Sequence, residues 1–182
     1  MLTTPYGQIS NENYQRATKI KLLICDVDGV FSDGRIYLGN QGEELKAFHT
    51  KDGFGMKAIM QAGIEIAIIT GRQSSIVENR MKALGVTHIK QGIEDKLSVY
   101  HLLLKELNLS AKEVAYIGDD VVDLPVMKNC GLGIAVFDAH PLVLKEADLI
   151  TYTKGGFGAV REICDLLLQC NNRLHYTQGK SE

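Results

Sequence analysis

From residue 19 to residue 151 the chain alternates between two kinds of segment. Short apolar, β-branched runs at 20–25, 64–69, 88–91, 114–117, 133–136 and 149–151 are separated by amphipathic stretches of helical length. The helical stretches read as 55–62, 74–84, 96–107, 121–129 and 141–146, with a last helix near 159–170. In the first of them Met56, Ile59 and Met60 recur at i, i+3 and i+4, a core-facing stripe, and Gly63 supplies a stop. Such alternation predicts βαβ units and therefore an α/β fold, a Rossmann-like doubly wound parallel sheet.

One stretch breaks the alternation. Residues 34–49, GRIYLGNQGEELKAFH, hold two β-like segments around a Gly-Asn-Gln-Gly turn and predict a β-hairpin inserted between the first strand and the first helix. No other stretch leaves room for a large cap domain, so residues 1–182 read as a single domain. Residues 1–18 are polar with helix-compatible spacing around Ile9, Tyr14 and Ala17, and the polar tail 171–182 reads as flexible.

Composition narrows the partners. With 20 basic and 22 acidic residues the formal net charge is -2, so no basic surplus invites nucleic acid or an anionic membrane. No apolar run approaches a membrane span, and the N-terminus lacks the apolar core of a signal peptide. Cys25, Cys130, Cys164 and Cys170 show neither CxxC pairing nor metal-ligand spacing, which suits reduced thiols and a cytoplasmic location.

Candidate chemistry gathers where the predicted strands end. Directly after the first strand stands Asp26-Val27-Asp28-Gly29-Val30. Two carboxylates two residues apart at a strand's C-terminal end can both aim into the crevice where open α/β sheets bind ligands, and Gly29 permits a sharp turn. The second strand ends in Thr70-Gly71-Arg72, whose hydroxyl can bond a phosphoryl oxygen, though Thr at a strand end is also ordinary packing. Lys96 opens a helix against the macrodipole preference, which a local anion would explain and a solvated lysine would not require. The fourth strand runs into Gly118-Asp119-Asp120-Val121-Val122-Asp123, three acids that call for a hard divalent cation, Mg²⁺ beside a phosphate being the usual pairing. Asp123 alone also fits a helix first-turn acid. Taken in order, the four signals describe a phosphoryl-transfer site with a nucleophile, a proton donor, cations and a metal.

This order of motifs resembles the haloacid-dehalogenase-like hydrolases, from about Lys19 to the last strand. The resemblance implies Asp26 as the nucleophile and Asp28 as general acid and then base. It implies Thr70 and Lys96 as holders of the phosphoryl oxygens. Mg²⁺ would sit on Asp26, the backbone carbonyl of Asp28 and Asp119, with Asp120 and Asp123 supporting those ligands from behind. The segments DVDGVFSDGRIYL, GEELKAFHTKDGFGMK, TGRQS, GDDVVDLPVM and GGFGAVREICDLLL look more narrowly like the branch that hydrolyses 3-deoxy-D-manno-octulosonate 8-phosphate, on the route to the lipopolysaccharide inner core. That branch implies a small phosphorylated sugar acid as substrate. It also implies a homotetramer whose inserted hairpins form a shared β-barrel, which would stabilise an otherwise marginal two-stranded ribbon.

The same resemblance brings His49, Thr50, Lys51, Asp52 and Gly53 toward the substrate. Gly71, Arg72 and Arg80 join them; Arg80 lies at i+8 from Arg72, and an arginine can grip a carboxylate with two bonds. Arg80 as a solvated helix residue stays open. So do three other readings of the chain: a phosphatase of a related nonulosonate phosphate or another sugar phosphate, a non-catalytic regulatory module, and a receiver-like domain. The receiver does not need Asp28 as a proton shuttle, and a regulatory module could lose Asp26, Asp28 or Lys96, all of which are present. The Lys154–Gly158 stretch reads as an ordinary loop before a packing helix, with cover over a neighbouring site as the alternative.

Overall fold

In the computed structural model, which describes residues 1–174, the polar N-terminus first pairs β1 (Leu2–Thr3) with β2 (Gln8–Ile9). Helix α1 (Asn11–Ala17) follows, its Ser10 cap accepting from the Asn13 amide. Then come β3 (Leu22–Cys25), the hairpin strands β4 (Tyr37–Leu38) and β5 (Glu44–Leu45), α2 (Thr50–Gln61), β6 (Glu65–Ile69), α3 (Ser75–Ala83) and β7 (His88–Lys90). The remainder is α4 (Lys96–Leu107), β8 (Val114–Gly118), α5 (Leu124–Met127), β9 (Leu132–Ala135), α6 (Pro141–Glu146), β10 (Leu149–Ile150) and α7 (Ala159–Cys170). Of the polar tail expected over 171–182, residues 175–182 lie outside the described residues.

Six strands form one parallel sheet in the order β10-β9-β8-β3-β6-β7. Its two central strands are apolar throughout because both faces are covered: Leu22 to Cys25 and Val114 to Ile117 have no solvent exposure. Helices α2 and α7 pack together, while α4 packs on α5. The chain moves outward from β3 to β6 and β7, then crosses back to β8 and outward again to β10. The winding of the chain therefore reverses beside β3, and Cys25 lies opposite both Ile68 and Ile117. The residues that follow these positions, Asp26, Thr70 and Asp119, leave the sheet together at one edge, where ligands bind in such folds.

Two elements differ from the sequence reading. Helix α2 starts at Thr50 rather than 55, capped by His49, whose Nδ1 accepts from the Lys51 amide. Gly53 and Gly55 discourage a helix by propensity. Neighbours come close at both: a Cβ on Gly53 would stand 2.7 Å from an Arg80 nitrogen, and one on Gly55 2.8–2.9 Å from Arg161 and Cys164. The helix expected over 121–129 is divided into a 3-10 turn, Val121–Asp123, and the short α5. At the junction the Asp123 carboxylate turns back to its own upstream amides, and Pro125 lacks an N–H for continued pairing. The inserted hairpin is as expected, with Tyr37 opposite Leu45 and Leu38 opposite Glu44.

Candidate active site

The strand ends surround a cleft of about 540 Å³ lined by Asp26, Asp28, Thr70, Gly71, Arg72, Lys96, Asp119 and Asp120, together with Gly34, Ile93, Glu94 and Val122. Thr70 is buried and held at the β6 exit by its own amide bond to Lys90 and by the Ile93 amide on its carbonyl. At the floor, the Lys96 ammonium lies 2.8 Å from Asp26 Oδ1 and 2.8 Å from Asp123 Oδ1. Here is the anion that a first-turn lysine needed. Asp95 caps the same helix by accepting from the Ser98 amide, so the helix start that carries Lys96 is locally fixed.

Asp123 is fully buried and both oxygens of its carboxylate are occupied. Oδ1 accepts from Lys96 and from the Tyr116 hydroxyl at 2.6 Å; Oδ2 accepts from the amides of Asp119 at 3.0 Å and Asp120 at 3.2 Å. Burial raises the Tyr116 hydroxyl's pKa well above its ordinary value, so it remains a donor. Asp123 thus ties the lysine to the loop that carries Asp119. Gly29, at φ 90°, permits the facing turn: a Cβ there would overlap the Asp119 carboxylate.

The electrostatics favour an added cation. Burial pushes Asp26 up to about 6, with Asp123 adding to it and Lys96 opposing. Asp119 is pushed up to about 8, first by burial and then by Asp26, Asp123 and Asp120. Burial works against the Lys96 ammonium, but Asp26 and Asp123 outweigh it and raise its pKa. One lysine cannot neutralise three acids. Asp26, Asp119 and Asp123 each offer an oxygen within 4.8 Å of the others, an all-oxygen set that fits a hard divalent ion. Because Asp123 is already saturated, the free oxygens for such an ion belong to Asp26 and Asp119, and Asp123 acts by holding them. Asp120 is exposed, and its Oδ1 caps the following turn through the Val121 amide.

On the rim, Asp28 meets a residue that sequence reasoning did not single out. Lys46, just after β5, reaches back so that its Nζ contacts Asp28 Oδ1 and lies 3.2 Å from Glu44 Oε1. Glu44 Oε2 is 3.4 Å from Arg72 Nη2, and Arg72 Nε is 3.9 Å from Asp28 Oδ2, closing a ring of two acids and two cations. The only sequence signal was the alternation Glu44, Leu45, Lys46, which puts the two charges on one face of the ribbon.

Other expected substrate residues do not line this cleft. His49, Thr50, Lys51, Asp52 and Gly53 form the cap and first turn of α2. Asp52 is buried, its Oδ1 accepting from the Arg161 amide at 2.8 Å. Arg80 packs over Gly53, and its charge offsets part of the rise that burial imposes on Asp52, which reaches about 6. Arg72 precedes α3 rather than belonging to it, so the i+8 relation to Arg80 does not put the two side chains together.

The C-terminal glycine loop braces the turn that follows Asp28. The Gly156 amide donates to the Val30 carbonyl at 2.9 Å, and a Cβ on Gly155 would overlap the Gly29 carbonyl.

Comparison with known proteins agrees with this geometry. Residues 88–163 match the model of the haloacid dehalogenase-like hydrolases. A 3-deoxy-D-manno-octulosonate 8-phosphate phosphatase of Yersinia pestis is 53% identical over 180 residues, 99% of this chain and 96% of the relative. A crystal structure of the Yersinia pestis phosphatase superposes with a TM-score of 0.94 at 54% identity, covering 95% of this chain and 94% of that one. The Moraxella catarrhalis phosphatase, solved in complex with magnesium ion, phosphate ion and the octulosonate, gives 0.89 at 46% identity, covering 91% and 95%. Full-length likeness of this degree, over a sheet that presents these side chains at its edge, establishes that the chain belongs to the haloacid dehalogenase-like hydrolases, in the family of the 3-deoxy-D-manno-octulosonate 8-phosphate phosphatases.

Proposed function

We propose that the chain is a Mg²⁺-dependent phosphomonoesterase that hydrolyses 3-deoxy-D-manno-octulosonate 8-phosphate to the free sugar acid and phosphate. The observation that carries this reading is the Asp26–Lys96–Asp123 arrangement at the cleft floor, with Asp28 on the rim and Asp119 opposite. Asp26 is kept anionic by Lys96 and attacks the phosphorus, forming an aspartyl-phosphate as the ester bond breaks. Asp28 gives a proton to the departing sugar oxygen and later takes one from the water that attacks the acyl phosphate. Thr70 and Lys96 hold phosphoryl oxygens as charge shifts onto them. Bound at Asp26, Asp119 and the Asp28 carbonyl, Mg²⁺ supplies positive charge beside the transferring group.

Arg72 on the rim is the cation suited to the sugar carboxylate. Supply of the sugar acid for the lipopolysaccharide inner core, in the cytoplasm, belongs to the same proposal. So does assembly as a homotetramer through the hairpin, which is supported by its exposed Ile36, Tyr37, Leu38 and Leu45. The test is phosphate release from a panel of sugar phosphates, with Mg²⁺ or with chelator. Metal-dependent release from the octulosonate ester far above neutral sugar phosphates is expected; equal release from all of them would refute the substrate.

A further inference from the structure

We propose that Lys46 is a positioning residue for the reaction, holding the Asp28 carboxyl where the proton reaches the leaving oxygen. The inference rests on the phosphatase reading above and on Asp28 as its proton donor. Alternation along the second hairpin strand puts Leu45, two-thirds exposed, on one face and Glu44 and Lys46 together on the other, where both side chains reach the cleft rim. The Lys46 side chain is only 1% exposed. Burying an ammonium costs free energy unless it is paired. A ribbon with two-residue strands gains nothing from that charge that a methionine of similar length would not give. The ammonium is placed for its partner, Asp28.

Asp28 has few other restraints. Among the described residues its charged partners are Lys46, in direct contact, and Arg72 at 3.9 Å. Glu44 completes the device by facing both Lys46 and Arg72. With that carboxylate beside it, the ammonium stays at the rim and does not swing to the phosphoryl site. The hairpin thereby contributes a working part to the catalytic turn, besides its exposed apolar side chains.

The test compares two leaving groups. The nitrophenolate of p-nitrophenyl phosphate departs without a proton, whereas an alkyl ester such as a sugar phosphate needs one. For each of the wild type, Lys46→Met, Lys46→Arg and Asp28→Asn, kcat/KM is measured with p-nitrophenyl phosphate and with the alkyl ester the wild type hydrolyses best. Lys46→Met is expected to lose roughly 100-fold on the alkyl ester, the scale of a displaced general acid, and less than ~5-fold on the nitrophenyl ester. Lys46→Arg should restore most of the alkyl activity. Lys46→Met in an Asp28→Asn background should add almost nothing, since the two act as a unit.

Equal losses on both esters, no loss on either, or additive losses in the double variant would overturn the proposal. A wild type inactive on every ester would instead refute the phosphatase reading, and the proposal with it.

Discussion

The α-carbon of Gly155 sits so close to the carbonyl oxygen of Gly29 that no side chain fits between them. The contact joins the loop before α7 to the turn that carries Asp28. Gly155→Ala should therefore shift that turn, lowering kcat by about 100-fold, as displacement of reacting groups by ~1 Å does. Stability should fall by roughly 1–3 kcal/mol from overpacking. Steady-state kinetics and thermal unfolding check this, and an alanine variant with unchanged kcat would contradict it.

Asp123 touches no solvent but holds Lys96 and the amides of Asp119 and Asp120. Asp123→Asn keeps the shape and removes the charge. Mg²⁺ affinity is expected to weaken about 10- to 100-fold, the usual effect of removing a group that orients metal ligands. Calorimetric titration of Mg²⁺ into both proteins measures it; equal affinities would show that Asp123 does not support the metal.

A metal-free protein should lose stability as pH rises. Asp119 reaches about 8 and Asp26 about 6 in the folded chain, against ordinary carboxylate values near 3.8. Between those limits the folded state binds more protons than the unfolded state, so unfolding free energy falls with rising pH. Mg²⁺ relieves the repulsion between the ionised acids. Its stabilising increment should thus be small near pH 5 and grow toward pH 8. Thermal melts with chelator and with excess Mg²⁺ across that range test the slope, and a pH-independent increment would contradict the assignment.

The hairpin is marginal as an isolated ribbon, and it exposes Leu38 on one face and Tyr37 and Leu45 on the other. If the proposed homotetramer forms through the hairpin, Leu38→Asp combined with Leu45→Asp should yield smaller species than the wild type in light scattering coupled to size exclusion. A wild type that is monomeric, or a mass unchanged by the two substitutions, would contradict assembly through the hairpin.

How much was legible in advance follows from how local each cause is. Asp26, Asp28, Thr70, Lys96 and Asp119 stand where a strand exit puts them, so short-range pattern sufficed to bring them to one cleft. Lys46 could not be read that way, because its meeting with Asp28 depends on how the ribbon folds back over the sheet edge. Asp52, which the sequence pattern left ahead of the helix, is a buried residue of α2 accepting from the Arg161 amide; Gly53 and Gly55, which hid the helix start, lie close against Arg80 and α7. Asp123 was readable as an acid near a metal, but its grip on Lys96 and Tyr116 is tertiary.

The central claim is that Asp26 accepts the phosphoryl group, and a rapid-quench experiment tests it most directly. Mixing the protein with Mg²⁺ and 3-deoxy-D-manno-octulosonate 8-phosphate, quenching in acid within milliseconds and mapping the phosphate by mass spectrometry should find it on the peptide carrying Asp26. The Asp26→Asn protein should carry none and release none. Turnover with no phosphate on the chain, or with phosphate on another residue, would contradict the account.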